Sequence, residues 1–351
     1  MAKIAVIPGD GVGKEVTREA VKALRAVAGP DLALELVEWP HGADRYLETG
    51  QAITDDEFAD LGANYQAILL GALGDARVPG NEHARQILLG MRFRLDLYVN
   101  FRPVRLFHER LTPLRDKRAE DVSFVIFREN TEGVYVGMGG TFKQGTPDEV
   151  AVQEDVNTRK GVERIVRAAF EYARRNGLTR VTMSDKANAM EFAGGLWRRV
   201  FKLVAAEYPE IESEALYVDM LAMDLVRRPE RYQVIVTGNL FGDILSDLGA
   251  QLAGGLGLSP SGNIHPGRIG LFEPVHGSAP DIAGKDLANP FAAILTTGLM
   301  LEHLGRPAEA ARLEDAVCAC IVAGETTSDI GGTLGTAAAG DAVCRRLSQG
   351  G

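Results

Sequence analysis

The chain has 351 residues, 46% of them hydrophobic and 25% charged, and 48 acidic against 38 basic side chains give a net charge of −10. That length exceeds one typical core and sets two domains as the expectation, while the acidic balance argues against nucleic acid and anionic membranes as general partners. Cys318, Cys320 and Cys344 make no metal or redox spacing; so sparse and odd a count fits a reducing compartment, and without a signal, transit or long apolar segment a cytoplasmic enzyme is the simplest class.

Strand and helix signals alternate from the start. Residues 4–7 read as a strand leading into Pro8-Gly9-Asp10-Gly11-Val12-Gly13. Val16, Ala20, Val21, Leu24 and Val27 then recur at helical spacing, and Gly29-Pro30 ends that helix. Residues 32–37, 67–70, 124–127, 181–183 and 234–237 continue the strand series, with helical patterns between several of them, and 308–320 suggests a late helix. This is the signature of an α/β protein with a largely parallel sheet. Between Gly137 and Val152 the pattern turns glycine-rich and alternating, a hairpin that is either plain surface or an arm for a second copy. No repeat, low-complexity tract or linker interrupts the chain, so two domains are expected to exchange the chain more than once and to leave a cleft.

The glycine turn after the first strand is not a dinucleotide fingerprint. Its spacing is G-x-G-x-G and no convincing acidic residue closes a second strand, so it reads as a tight strand-to-helix turn. Arg92, Arg94, Arg102 and Arg105 surround residues 97–100. An arginine fork suits a carboxylate, although a solvated basic face is the commoner fate of any one arginine. Arg128 ends a strand and Tyr135 follows it closely; strand ends in α/β sheets are where ligands bind. Lys186 follows another strand, where shielding and a nearby cation can turn an amine into a base, against the commoner exposed lysine.

The most telling stretch is 238–247, GNLFGDILSD. A Gly-Asn turn opening a helix places Asp243 and Asp247 one turn apart on one face. There they can share a divalent cation through hard oxygen ligands, or merely complement the helix dipole. Residues 273–284, EPVHGSAPDIAG, form a loop of small residues around His276 and Asp281. Small residues let backbone N–H groups approach phosphates, and an acid there can accept from ribose hydroxyls; alone, the stretch is an ordinary surface loop. Together these clusters supply cation ligands, carboxylate clamps, a base, a phenol and a nucleotide loop. Metal-assisted oxidation of a hydroxy acid requires that set.

On these motifs the chain resembles the β-hydroxyacid oxidative decarboxylases, the family of isopropylmalate, isocitrate, homoisocitrate and tartrate/D-malate dehydrogenases. The likeness runs from Pro8-Gly9-Asp10-Gly11 to Asp329-Ile330-Gly331-Gly332. It implies a two-domain fold with mostly parallel sheets and a hairpin dimer arm: a large nucleotide-binding domain from 1–98 and 252–351, and a small dimerisation and metal/substrate domain from 99–251. It also implies a homodimer with shared active sites and a small 2-hydroxy acid with a malate core as substrate. Arg92, Arg102 and Arg128 then resemble the malate clamps. Asp243 and Asp247 resemble ligands of Mg2+ or Mn2+, joined by Asp219 of the second subunit, which also supplies Lys186 as base; Tyr135 resembles the acid. His276, Gly277, Ser278, Ala279, Asp281, Ile282 and Asn289 correspond to the cofactor site. NADP-using relatives carry Lys-Tyr where this chain has Asp281-Ile282, so NAD is expected.

Substrate choice in the family depends on the helix before the first arginine. Leu88 and Leu89 fall where isopropylmalate enzymes meet the isopropyl group, whereas isocitrate enzymes place Ser and Asn where Gln86 and Leu88 stand, and homoisocitrate enzymes place Arg at Leu89. An unpaired carboxylate buried against two leucines is costly. The resemblance therefore points to (2R,3S)-3-isopropylmalate, its oxidation to 2-oxo-4-methylpentanoate and leucine biosynthesis, with D-malate/tartrate next and homoisocitrate third. Arg85 stands where isopropylmalate enzymes typically carry Glu, and Asn130-Thr131-Glu132-Gly133 is a form found in the other branches. A non-catalytic regulatory subunit would lack a clamp, metal acid, base or phenol, and none is missing here.

Overall fold

A computed structural model describes residues 2–28 and 33–349; the helix end expected at Gly29-Pro30 and the strand start expected at Leu32 lie outside the described residues. The chain opens with β1 (Ala2–Gly9), α1 (Gly13–Ala28), β2 (Leu34–Glu38), α2 (Ala43–Thr49), α3 (Asp55–Asn64), β3 (Ala67–Ala72) and α4 (Glu82–Arg94). Then come β4 (Val99–Arg105), β5 (Ser123–Glu129), the ribbon β6 (Gly139–Phe142) and β7 (Val150–Gln153), α5 (Arg159–Arg175), β8 (Arg180–Asp185), α6 (Glu191–Ala205), β9 (Glu212–Tyr217), α7 (Val218–Arg227), β10 (Val234–Thr237) and α8 (Asn239–Leu252). It closes with β11 (Pro260–Ile264), β12 (Gly270–Pro274), α9 (Phe291–His303), α10 (Pro307–Ala323) and α11 (Thr336–Gln349).

These elements make two compact units. Unit 1 holds Met1–Leu97, Arg105–Ala119 and Ala250–Gly351; unit 2 holds Tyr98–Val104 and Glu120–Gly249. Arg105–Ala119, which the expected division gave to the small domain, belongs with unit 1. Phe107 packs into that unit's core, and Arg110 donates to the carbonyls of Ile330 (2.5 Å) and Ile321 (2.9 Å).

In unit 1 the strand order is β2-β1-β3-β12-β11, parallel except for β11 against β12. Both faces are buried, and the period-two alternation sorts each strand between them. Ile4, Val6, Ala67, Leu69 and Phe272 face one core with α1, α9, α10 and α11. Ala5, Ile7, Ile68, Leu70 and Leu271 face the other, with Phe58 and Leu61 of α3 and Ile87 and Met91 of α4. Gly9 and Gly11 adopt left-handed backbone in the turn after β1, where a Cβ would stand 2.0 Å from the Ala72 carbonyl oxygen and 2.1 Å from that of Ser278. The turn is as tight as its spacing predicts.

In unit 2 the order is β4-β5-β10-β8-β9, with β5, β10, β8 and β9 parallel. Thr158 caps α5, which buries Val162, Ile165, Val166, Ala169 and Phe170. The ribbon β6–β7 is the expected antiparallel hairpin, and every residue in its strands is exposed.

Candidate active site

The Gly238-Asn239 turn ends β10 and opens α8, with Asp243 and Asp247 one turn apart on that helix. Arg128, fully buried at the end of β5, crosses the start of α8 over Gly242, where a Cβ would lie 2.5 Å from its Cγ. Its Nε and Nη2 donate to Asn239 Oδ1 at 3.0 and 2.8 Å, and its Nη1 pairs with Asp243 Oδ1. Tyr135 donates its hydroxyl to Asp243 Oδ2 at 2.8 Å, with the Arg128 guanidinium 5.2 Å from its ring centroid. Arg128, Tyr135 and Asp243 thus share one hydrogen-bonded set. Partial burial, and then the like charge of Asp243, push the Asp247 carboxyl up against the pull of Arg102 and Arg128. Arg102 is itself buried on β4 and donates to Asn100 Oδ1 at 2.7 Å.

Lys186 and Asp219 form a second group. Lys186 follows β8 and donates to Asp219 Oδ1 at 2.5 Å, in the first turn of α7. That bond holds the Asp219 carboxyl below the usual range. Among the described residues no three His, Cys, Asp or Glu side chains are grouped to hold a metal. Within one chain, therefore, Asp219 goes with Lys186 and not with Asp243 and Asp247.

In unit 1 the basic cluster divides. Arg94 and Arg105 take the plain surface role: Arg94 pairs with exposed Asp55 at 2.5 Å and lies over the Phe58 ring, and Arg105 pairs with Glu314. Arg92, by contrast, is buried at the end of α4 and donates to Glu273 Oε1 at 3.1 Å. Earlier on α4, Leu88 packs partly into the core while Leu89 is half-buried; Arg85 is exposed.

The loop after β12 folds back on the glycine turn, where Val12 N–H donates to the Ser278 carbonyl at 2.9 Å. Burial lowers the basicity of His276, whose Nδ1 lies 3.0 Å from the Gly277 carbonyl. Gly277 and Asp281 are exposed, Ala279 takes a φ of 39°, and Ile282 packs against the core. Asn289 is committed locally: it donates to Asp329 (3.0 Å) and accepts from Phe291 N–H (3.0 Å) at the start of α9.

Sequence reasoning gave no role to Asn239 or Glu273, which hold Arg128 and Arg92. The signal was present in both motifs as a polar residue beside a strand end. The Asn-Thr-Glu-Gly segment proves structural: Glu132 accepts from Thr158 N–H (2.8 Å) and Oγ (2.5 Å), Thr131 accepts from Arg164 (2.6 Å), and Asn130 accepts from Asn100 (3.0 Å).

The family model for isocitrate/isopropylmalate dehydrogenase matches residues 3–343. The chain belongs to this family. Among its relatives, a protein of Thermobifida fusca named 3-isopropylmalate dehydrogenase is 47% identical over 99% of this chain and 98% of its own. One of the same name from Leifsonia xyli is 50% identical over 96% and 98%. An isocitrate dehydrogenase structure from Methylococcus capsulatus superposes with a TM-score of 0.90 at 39% identity, covering 99% of both chains. The isocitrate/isopropylmalate dehydrogenase fold, α/β with mostly parallel strands, is therefore that of this protein. No helix among the described residues is long and apolar enough to cross a membrane.

Proposed function

We propose that the protein oxidatively decarboxylates (2R,3S)-3-isopropylmalate to 2-oxo-4-methylpentanoate, with NAD and a divalent cation, as a cytoplasmic homodimer in leucine biosynthesis. The observation that carries this reading is the full-length likeness to relatives bearing that enzyme name. Leu88 and Leu89 support it, since α4 offers an isopropyl group apolar surface there. Free thiols at Cys318, Cys320 and Cys344 suit the cytoplasm.

The donor set fits the cation. Asp243 and Asp247 present hard oxygens one turn apart on α8. Asp243 and Asp247 would hold Mg2+ or Mn2+, which would supply polarisation of the C2 hydroxyl, and NAD would supply the hydride acceptor. Arg92, Arg102 and Arg128 grip the malate carboxylates. Lys186 of a second subunit, which also brings Asp219, takes the hydroxyl proton as the C2 hydride leaves. The product is a β-keto acid; its C3–carboxylate bond breaks, CO2 departs, and the electron pair stays behind in an enolate. Tyr135, oriented by its bond to Asp243, delivers a proton to C3. Asp281 accepts from a free ribose diol and repels a 2′-phosphate, beside His276, Gly277, Ser278, Ala279, Ile282 and Asn289.

A second copy has a surface to cover. Met138, Phe142, Val150 and Val152 of the ribbon, Met220, Met223 and Val226 of α7, and Leu240 and Ile244 of α8 are all exposed. A two-stranded ribbon is marginal alone, and so much exposed apolar surface marks an interaction face.

The test is reduction of NAD and of NADP by purified protein with Mg2+ or Mn2+, comparing 3-isopropylmalate, D-malate, D-tartrate, isocitrate and homoisocitrate by kcat/KM. NAD with 3-isopropylmalate should lead by about tenfold or more. A preference for isocitrate or homoisocitrate would overturn the reading and assign Arg85 to the extra carboxylate; a preference for D-malate would leave the pocket unfilled.

A further inference from the structure

His83 and Asp10 form a buried pair that no step above uses. His83 is 0% exposed in the first turn of α4, and its Nε2 lies 2.8 Å from Asp10 Oδ2. Its Nδ1 is buried without a partner, so the tautomer that strands no N–H carries the proton on Nε2 and donates it to Asp10. The same carboxylate accepts from Ala43 N–H at 2.7 Å, at the start of α2, and from Gly74 N–H at 2.9 Å, just beyond β3.

Asp10 stands between Gly9 and Gly11, in the turn pressed against Ser278. Helix α4 is therefore fastened twice to one loop. At its start the connection runs through His83, Asp10, the turn and Ser278; at its end it runs through the Arg92–Glu273 bond to β12, the strand that leads directly into the same loop.

We propose that His83, through Asp10, is a positioning residue coupling the loop at 273–284 to the helix that presents Leu88, Leu89 and Arg92, a proposal that rests on the nucleotide and substrate roles given to them above. Ordering the loop on a nucleotide then fixes α4, and each ligand favours the other's site.

Hydrogen–deuterium exchange with NADH as the probe tests this, alongside kinetics of His83→Leu, which keeps apolar bulk without the donor, and His83→Gln, which keeps a donor. In the wild type NADH should slow exchange both in 273–284 and in Glu82–Arg94. In His83→Leu it should slow the loop alone, and KM for the hydroxy acid should rise about fivefold or more with kcat within about twofold. His83→Gln should restore both. Loop protection without helix protection in the wild type, or a His83→Leu variant with unchanged helix protection and KM, would overturn the coupling. Equal losses of Tm and kcat in both variants would also overturn it, leaving His83 as packing. If NADH protects neither segment, the nucleotide reading of the loop fails and takes the coupling with it.

Discussion

Asp243 receives Arg128 on one oxygen and Tyr135 on the other, so its charge organises both neighbours before any ligand arrives. Asp243→Asn keeps the shape and removes the charge. Its kcat should fall by about two orders of magnitude or more, while NADH affinity measured by fluorescence titration stays within about twofold; retained turnover would show that the carboxylate is not a cation ligand. The motif around Asp243 was legible because a turn opening a helix fixes which residues share a face. Arg92 and Arg94 were not separable in the same way. Both lie near the end of α4, and a buried glutamate from β12 on one side and a surface aspartate from α3 on the other decide between them. That choice is tertiary, and nothing local encodes it.

At the level of elements, the strands rich in Val, Ile and Leu announced themselves, as did the stripe on α1. Strand β4 did not, because Asn100 and Arg102 are buried in it, and a buried arginine in a strand reads as a basic surface. The start of α3 shows how polar ends hold an element: Thr54 and Glu57 form a reciprocal capping box. Burial alone would raise the Glu57 carboxyl. Bonds from Thr54, Arg45 and His41 outweigh it and hold Glu57 at about 2, against an ordinary 4.5. A depressed folded value stabilises fully above pH 4.5 and is lost as pH falls toward about 2. Urea midpoints measured across that window should decline in the wild type and decline less steeply in Glu57→Gln; identical slopes would mean the ion pair contributes nothing.

For the whole molecule, the alternation of strands and helices carried the fold class, and the absence of a linker anticipated a chain that passes between units repeatedly. The allegiance of Arg105–Ala119 was not legible, since it depends on Phe107 and Arg110 meeting α10 and the 328–330 turn far along the chain. The distribution of charged groups bears most directly on function. One chain pairs Lys186 with Asp219, and no three candidate ligands, Asp219 with Asp243 and Asp247 included, meet among the described residues. A working site assembled from two copies would resolve that separation. The decisive measurement is subunit complementation: inactive Lys186→Met and inactive Asp243→Asn proteins are co-expressed and the mixed dimers assayed. Shared sites should restore about a quarter of wild-type activity, because about half the dimers are mixed and each carries one intact site. Mixed dimers as inactive as their parents would show that Lys186 and Asp243 do not serve one site from different chains.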